Sequence, residues 1–495
     1  MADGVVGTFE ALAGRNGRPS EGRWSRQAPH PKDAARAGRP QQQWGISRSM
    51  APVCCYTADV MMNPFRNTRP GTAIVIVVCA LISATGCWEA GEPSKSTPEV
   101  RANLEALGYV ETLPVDGDGT ETPVGVTRHD VLRSMAGLNL FTPRHLARAE
   151  LLGMDGRLIH HWELDGGSPW QHVELCADGG LLAYVKDREL LRLAPDSTVR
   201  WRVHGRFHHD VTLTQGGDIW APTRRVEIVE LHGREIPLLV DFMAFFTGGG
   251  DLVREISLFD FFGSGISASR VESIQRWTEE NEIFDRLAEV NADEVEIVPA
   301  DSPPDVFHLN SIEPIHRNIA GVCRVGDLLI SVRNLNMVAV VDPTTLEVRW
   351  TWGPGELEMQ HHATQLNSGH FLIFDNGVRR GASRIVEVSP SDSRIVWQYR
   401  GTDSHPFFSA LRGSAQRLAN GNTLIAETDA GRAFEVTAEG EIVWELWTPL
   451  LGRPEKGKTR RAVYYRVIRI TDPADPGLKV LGLSPKGFRN DKEKE

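Results

Sequence analysis

Residues 360–377 read QHHATQLNSGHFLIFDNG. Two histidines open the stretch, an Asn-Ser-Gly turn follows, and an apolar run ends at Asp375-Asn376-Gly377. Alternation on either side of a turn signal predicts two antiparallel strands. His361 and His362 begin the first strand, and adjacent strand residues point to opposite faces. The same shape returns in WQHVELCADGGLLAYV (170–185), FHHDVTLTQGGDIWAP (207–222) and SAQRLANGNTLIAE (414–427). Three of these four units carry histidine at the same end. A repeated strand that brings histidine to one place is the main functional clue.

Each unit continues with a further strand, a turn and a strand containing tryptophan: Trp162, Trp201, Trp350, Trp397 and Trp444. The last three recur every 47 residues, in LEVRW, SRIVW and GEIVW. Four strands in roughly 40–50 residues is the period of a propeller blade. Five units open near Trp170, Phe207, Phe307, Gln360 and Leu411. A sixth would join 137–164 to a final strand at 462–470 and close the ring. The expected fold is therefore all-β, a six-bladed β-propeller over 137–471. The third unit is longer and holds 267–290, with apolar residues Val271, Ile274, Trp277, Ile283, Phe284 and Leu287. That spacing predicts an inserted amphipathic helix lying over one face as a cap.

The flanks differ in kind. Residues 1–60 are Gly-, Arg-, Pro- and Gln-rich without periodicity, and read as disordered or not translated. Met61 and Met62 precede Arg66 and Arg69, an apolar run over 72–82, and Ser83-Ala84-Thr85-Gly86-Cys87. This is the layout of a signal peptide over 61–87, too short to be a comfortable membrane span. Its ending resembles a lipoprotein signal with Cys87 as the lipidated residue; the alternative is an ordinary signal peptide. The expected location is the bacterial cell envelope, periplasmic or membrane-anchored. Residues 88–136 read as a linker with a short helix at 98–107, and 472–495 as a tail ending in disorder.

The 495 residues are 41% hydrophobic and 24% charged, ordinary for a globular chain. A net charge of −11 gives no basic surface to track phosphates, so no nucleic-acid partner is expected. The six cysteines, Cys54, Cys55, Cys79, Cys87, Cys176 and Cys323, form no CxxC pair, which argues against structural zinc. Cys176 and Cys323 are candidates for a disulfide in an oxidising compartment, which spacing alone does not decide.

First strands of propeller blades line a central channel, so their residues converge. Here these are Gln171 with His172, His208 with His209, His308 with Asn310, His361 with His362, and Ser414 with Gln416. Histidine is only 16 of 495 residues, so clustering on four strands is a poor fit to chance. Any single one has a bland reading as a satisfied histidine between blades. Convergent imidazoles suit metal binding, general acid–base catalysis or nucleophilic catalysis. Carboxylate metal sites are less favoured, because only Asp210 and Asp375 stand near. No GxxxxGK[ST] loop supports nucleotide use, and no GxSxG elbow is present. No cofactor and no metal is expected.

FHHDVTL, DVFHLNSIE, LLISVRN and QHHA…LIFDNG together resemble the bacterial arylsulfate sulfotransferases of the ASST type, over roughly 137–449. The resemblance implies a secreted six-bladed propeller that moves a sulfuryl group from an aryl sulfate to a phenolic acceptor without a nucleotide donor. It implies His361 as the nucleophile that becomes sulfated, with His362 as competitor for that role. It implies His209 as general acid or base, with His208, His308, Asn310 and Arg333 around the sulfuryl group and Thr428 as a sulfate-contacting hydroxyl. A sulfuryl group in flight carries three charged oxygens, so cations and hydrogen-bond donors are what such a site needs. The bland reading of Arg333 is an inter-blade salt bridge. Asp375-Asn376-Gly377 reads as a turn that supports the site. The chain lacks a cysteine pair beside the nucleophile, has the helical insertion, and has a short N-terminal region, which leaves its oligomeric state open. Two other classes compete: a metal-dependent propeller lyase or hydrolase, and a non-catalytic envelope binding propeller.

Overall fold

The computed structural model describes residues 112–114, 122–280, 304–451 and 460–483. Residues 1–60, the leader with Cys87, the 98–107 helix and the tail from 484 onward lie outside the described residues. Six antiparallel sheets of four or five strands succeed one another along the chain. Blade 1 contains Leu138–Pro143, Arg148–Leu152 and Leu158–Glu163. Blades 2 to 6 open with inner strands His172–Leu175, Thr212–Leu213, Leu309–Pro314, His361–Gln365 and Ser414–Arg417. The inner strand of blade 1 is Tyr464–Ile470, which pairs with Leu138–Pro143. The ring is thus closed by the C-terminal strand, as the repeats predict.

Six apolar cores hold the ring together, and each is shared by two neighbouring blades. The second strand of blade 2 shows how. Leu181 and Ala183 enter the core shared with blade 1, while Leu182 and Tyr184 enter the core shared with blade 3. A strand buried on both faces needs a near-continuous apolar run, which is what LLAYV, LLISV and FLIFD supply. The outer strand of blade 2, Val199–His204, alternates half-buried and exposed residues, and Trp162 and Trp444 in the outer strands of blades 1 and 6 are fully buried.

Blade 3 departs from the others. Its second and third strands, Ile219–Leu231 and Arg234–Phe246, run 13 residues each against five in blade 2. The hairpin turns at His232-Gly233, both at positive φ (52° and 74°), the backbone of a tight two-residue turn. A helix at Ala268–Glu280 puts Val271 and Ile274 into the core containing Ile236 and Leu238 of this hairpin. The described half of the expected helix therefore packs on a hairpin that the repeat pattern did not announce; Ile283, Phe284 and Leu287 lie outside the described residues.

Three boundaries shift. Gly125–His129, read as linker, adds a fifth strand to blade 6 beside Ile442–Trp447. Its GVTRH sequence has no apolar run because an outermost strand buries little. Thr112–Pro114 pairs with Arg460–Ala462. In the tail, Asp475 caps the short helix Pro476–Val480 and Leu478 is fully buried in the core between blades 1 and 2. Cys176 and Cys323 are both free and lie in different cores, so they do not pair. Among the described residues no helix is long and apolar enough to cross a membrane.

Candidate active site

The start of each inner strand and the end of the second strand meet at one mouth of the channel. In blade 4 the Arg333 N–H donates to the His308 carbonyl (3.0 Å), and in blade 3 the His208 N–H donates to the Pro222 carbonyl (3.2 Å). The residue just past the second strand consequently stands beside the inner-strand histidine. Around the ring this position holds Arg144, Lys186, Arg224 (the sixth residue of its long strand), Arg333, Asn376 and Thr428. A cavity of about 210 Å³ opens here. His209, Arg224, His308 and Arg333 line it from blades 3 and 4, with Arg144, Lys186, Tyr184, Arg412 and Tyr465 across from them.

His361 is 1% exposed and packs against His209, ring centroids 5.9 Å apart, without itself lining the cavity. Its Nδ1 faces Asn376 Oδ1 at 2.8 Å. The Asn376 amide cannot be turned over, because its Nδ2 donates to the Ser409 and Arg412 carbonyls (2.7 and 2.9 Å). Nδ1 of His361 must then carry the proton, which leaves a lone pair on Nε2. That Nε2 is buried with no hydrogen-bond partner. Burial holds the His361 pKa well below the usual value, and the Arg333 charge adds to this against the Asn376 bond.

A second set of histidines forms a chain. Asp305 Oδ2 stands 2.6 Å from His308 Nδ1, His308 Nε2 is 3.1 Å from His209 Nε2, and His209 Nδ1 is 2.8 Å from His208 Nδ1. His208 Nε2 lies 3.1 Å from Asp241 Oδ1, at ion-pair distance though not aligned as a hydrogen bond. Burial and the neighbouring histidines keep His209 well below its ordinary pKa. Burial also lowers His308, with the Asp305 carboxylate pulling the other way. His209 and His308 both adopt positive φ (62° and 58°), a strained conformation for such residues that clusters at functional sites.

The sequence-predicted residues separate into three groups. His209, His308 and Arg333 line the cavity, with His361 against them. His208 and Asn310 stand behind. Asn310 is fully buried, its Nδ2 donates to the Gln360 carbonyl (2.7 Å), and its Oδ1 has no partner. Thr428 is likewise buried with an unpartnered Oγ1. His362 sits at a bulge with φ 44°, accepts the Ala415 N–H through Nδ1 (3.2 Å), and feels the charges of Arg466 and His172. Arg333 Nη1 donates to Asn334 Oδ1 (2.9 Å). Asn376 is more than the supporting turn expected of it, since it bonds His361 directly. Asp305, Asp241, Arg144, Lys186, Arg224 and Arg412 were not foreseen. A signal existed for Arg144, Lys186 and Arg224: they hold the same repeat position as Arg333.

Among the described residues no three His, Cys, Asp or Glu side chains are grouped to hold a metal ion. Solved structures that resemble the chain include a protein of unknown function from Bacteroides caccae (11% identity, 68% of this chain and 100% of that one, TM-score 0.40). Another is a streptogramin B lyase (12%, 72% and 97%, 0.36). A third is the virginiamycin B lyase of Staphylococcus aureus (12%, 71% and 97%, 0.36). At such values the likeness carries no argument about activity. No curated protein matches the chain. The model of the arylsulfotransferase (ASST) family matches residues 194–448, which runs from blade 2 through blade 6 and takes in His209, His308, Arg333, His361 and Thr428. With more than half of its length matched, the chain belongs to the arylsulfotransferase (ASST) family.

Proposed function

We propose that the protein transfers a sulfuryl group between phenols by a ping-pong route, without a nucleotide, through a sulfated His361. The observation that carries this reading is the lone pair on His361 Nε2, buried and unpartnered while Nδ1 is locked as the donor to Asn376. A neutral imidazole with its far nitrogen pinned is an activated nucleophile. In the first half-reaction Nε2 attacks sulfur, an N–S bond forms, the S–O bond to the aryl group breaks, and the phenolate leaves. Arg333, close enough to depress His361, offers its guanidinium to the sulfuryl oxygens.

The leaving phenolate takes a proton from the histidine chain. Three neutral rings supply three protons, one for each of the three hydrogen bonds from Asp305 to His208. One further proton, shared over the three rings between the flanking carboxylates Asp305 and Asp241, is given up to the phenolate and recovered from the acceptor phenol. That acceptor then attacks sulfur, the N–S bond breaks, and His361 is restored. His362 has its Nδ1 committed to Ala415, which supports His361 over it as nucleophile.

The test is intact mass after incubation with an aryl sulfate. An adduct of about 80 Da that is discharged by added phenol and absent in His361→Asn is the expected result. An adduct that survives in His361→Asn and disappears in His362→Asn would move the nucleophile, and phenol release with no adduct would remove the covalent route. Envelope anchoring through Cys87 is part of the same proposal. Radiolabelled palmitate incorporation should be lost in Cys87→Ala; its persistence would overturn the anchor.

A further inference from the structure

We propose that Asp305 is a positioning residue of the transfer: by accepting the His308 Nδ1–H it holds the shared proton on His308 Nε2, at the cavity, for the departing oxygen of unactivated aryl sulfates. This rests on the sulfotransfer reading above. It also names the donors served, esters of phenols of ordinary acidity, whose phenolates leave poorly without a proton.

The histidine chain has one closed end and one open end. At the closed end the side chains of His208 and Asp241 are each 1% exposed, and Asp241 Oδ2 is committed to the Leu309 N–H (3.0 Å). At the open end His308 and Asp305 are 19% and 20% exposed, and His308 lines the cavity beside His209. A phenolate oxygen in the cavity therefore meets the facing Nε2 atoms of His308 and His209, 3.1 Å apart. Which of the two carries the proton depends on what stands at the other nitrogen of each ring. His209 Nδ1 faces another imidazole at 2.8 Å, whereas His308 Nδ1 faces a carboxylate at 2.6 Å. The carboxylate favours the cation on His308, which places the extra proton on its Nε2. Burial works against the Asp305 charge, but His308 and Arg224 hold its pKa below the usual carboxylate range.

Asp305 is fixed from outside the inner strand of blade 4, which begins only at Leu309. The Leu239 N–H of the long blade 3 hairpin donates to the Pro304 carbonyl (3.1 Å), and Leu239 and Asp305 pair as a parallel bridge. Asn334 Nδ2 donates to the Asp305 carbonyl (2.8 Å) while its Oδ1 accepts from Arg333 Nη1 (2.9 Å). One amide thus ties the open end of the chain to the guanidinium assigned to the sulfuryl oxygens. As the S–O bond breaks, its electron pair goes to the aryl oxygen and the Nε2 proton follows. His308 is left neutral with its Nδ1–H still on Asp305, and the acceptor phenol returns the proton in the second half-reaction.

Two donors separate this role from simple structural support: phenyl sulfate, and 4-nitrophenyl sulfate, whose phenolate leaves without help. The readout is kcat/KM for the donor, which in a ping-pong scheme reports the first half-reaction alone. In the isosteric variant Asp305→Asn, phenyl sulfate is expected to lose about 100-fold, within the range of general acid catalysis, and 4-nitrophenyl sulfate no more than about threefold. Arg333→Gln, acting on the sulfuryl oxygens, should lower both donors alike. Equal loss for the two donors in Asp305→Asn, or no loss for either, would overturn the proposal. The unaltered protein gives a check that needs no variant. Across a series of substituted phenyl sulfates its log kcat/KM should vary little with the acidity of the phenol, and a steep dependence would overturn the proposal as well. Equal losses with sulfated His361 still formed sink the role of Asp305 and leave the sulfotransfer reading standing. An unaltered protein that transfers from no aryl sulfate removes both.

Discussion

Asn376 sets the chemistry of His361 through geometry alone. Two donated bonds fix the direction of its amide, and the amide oxygen fixes the imidazole tautomer. Being neutral, Asn376 does this without adding a charge that would raise the histidine pKa much. Burial and Arg333 keep that pKa well below 6.5, so the proposed nucleophile stays unprotonated over the whole neutral range. With His361 in that proposed role, activity needs the neutral ring and is lost as pH falls through the depressed value. The acid limb of kcat/KM is therefore expected below pH 6.5. Asn376→Asp would face Nδ1–H with a carboxylate and favour the imidazolium, moving that limb upward by about one unit or more. A pH–rate profile of the variant with its limb unmoved would mean that Asn376 is a packing residue only. Asn376→Leu removes the lock without adding charge, and its kcat should drop about 10–100-fold, as for other residues that orient a functional histidine.

At the level of strands, most of the blade was written in plain sight. Runs such as LLISV and FLIFD are apolar at four of five positions because both faces are buried, and the last three tryptophan strands repeat at a fixed interval. Histidines at the inner-strand starts were visible for the same reason. Arg144, Lys186 and Arg224 were not, since their repeat position holds one residue per blade, is cationic in four of the six, and shows no pattern until the blades are aligned. The long hairpin of blade 3 hid because RRVEIVELHGREIPLLV continues a strand pattern with no break to mark where a normal strand would stop. Asn376 looked like a turn, since its partners Ser409 and Arg412 are more than thirty residues away. One glycine ties strand geometry to the site. Gly413 (φ 142°) precedes the inner strand of blade 6, and a Cβ there would meet the Phe374 ring at 2.3–2.5 Å. The ring belongs to the buried core between blades 5 and 6, so it has nowhere to move. Gly413→Ala is expected to cost about 1–3 kcal/mol by overpacking, read from denaturant melts, and to slow transfer because Arg412 next to it holds Asn376. A melt matching the parent protein would mean the blade can yield there.

A ring of blades has no free ends to spare. Each core is made by two neighbours, so the seam between first and last elements must be as well packed as any other. Here the seam is the strand Tyr464–Ile470, and Arg469 is its electrostatic anchor. Arg469 is 1% exposed, pairs with the fully buried Glu435 of blade 6, donates to Asn139 Oδ1 of blade 1 (2.8 Å), and lies over the Trp444 ring at 4.4 Å. One guanidinium thereby joins blades 6 and 1 across the closure. Burial depresses its pKa to about 10, with Glu435 opposing, yet it stays charged at neutral pH. Removing one partner of such a pair leaves an uncompensated buried charge, which costs about 3–5 kcal/mol, whereas replacing both by apolar groups is often close to neutral. Arg469→Met is therefore expected to destabilise the whole ring by about that amount. Arg469→Met/Glu435→Leu should recover most of the loss, although Glu435 also accepts from Asn422 and Met135 (2.6 and 2.8 Å) and those donors would be left behind. If closure is one cooperative event, the single variant should lower both the melting temperature and the sulfotransfer rate, because opening the seam loosens Arg144 on blade 1 and Arg412 before blade 6 together. A single variant that melts in two steps, with the blade 3 to 5 arc surviving longer, would mean that the ring is a chain of separable blades and that the histidine arc stands without its closure.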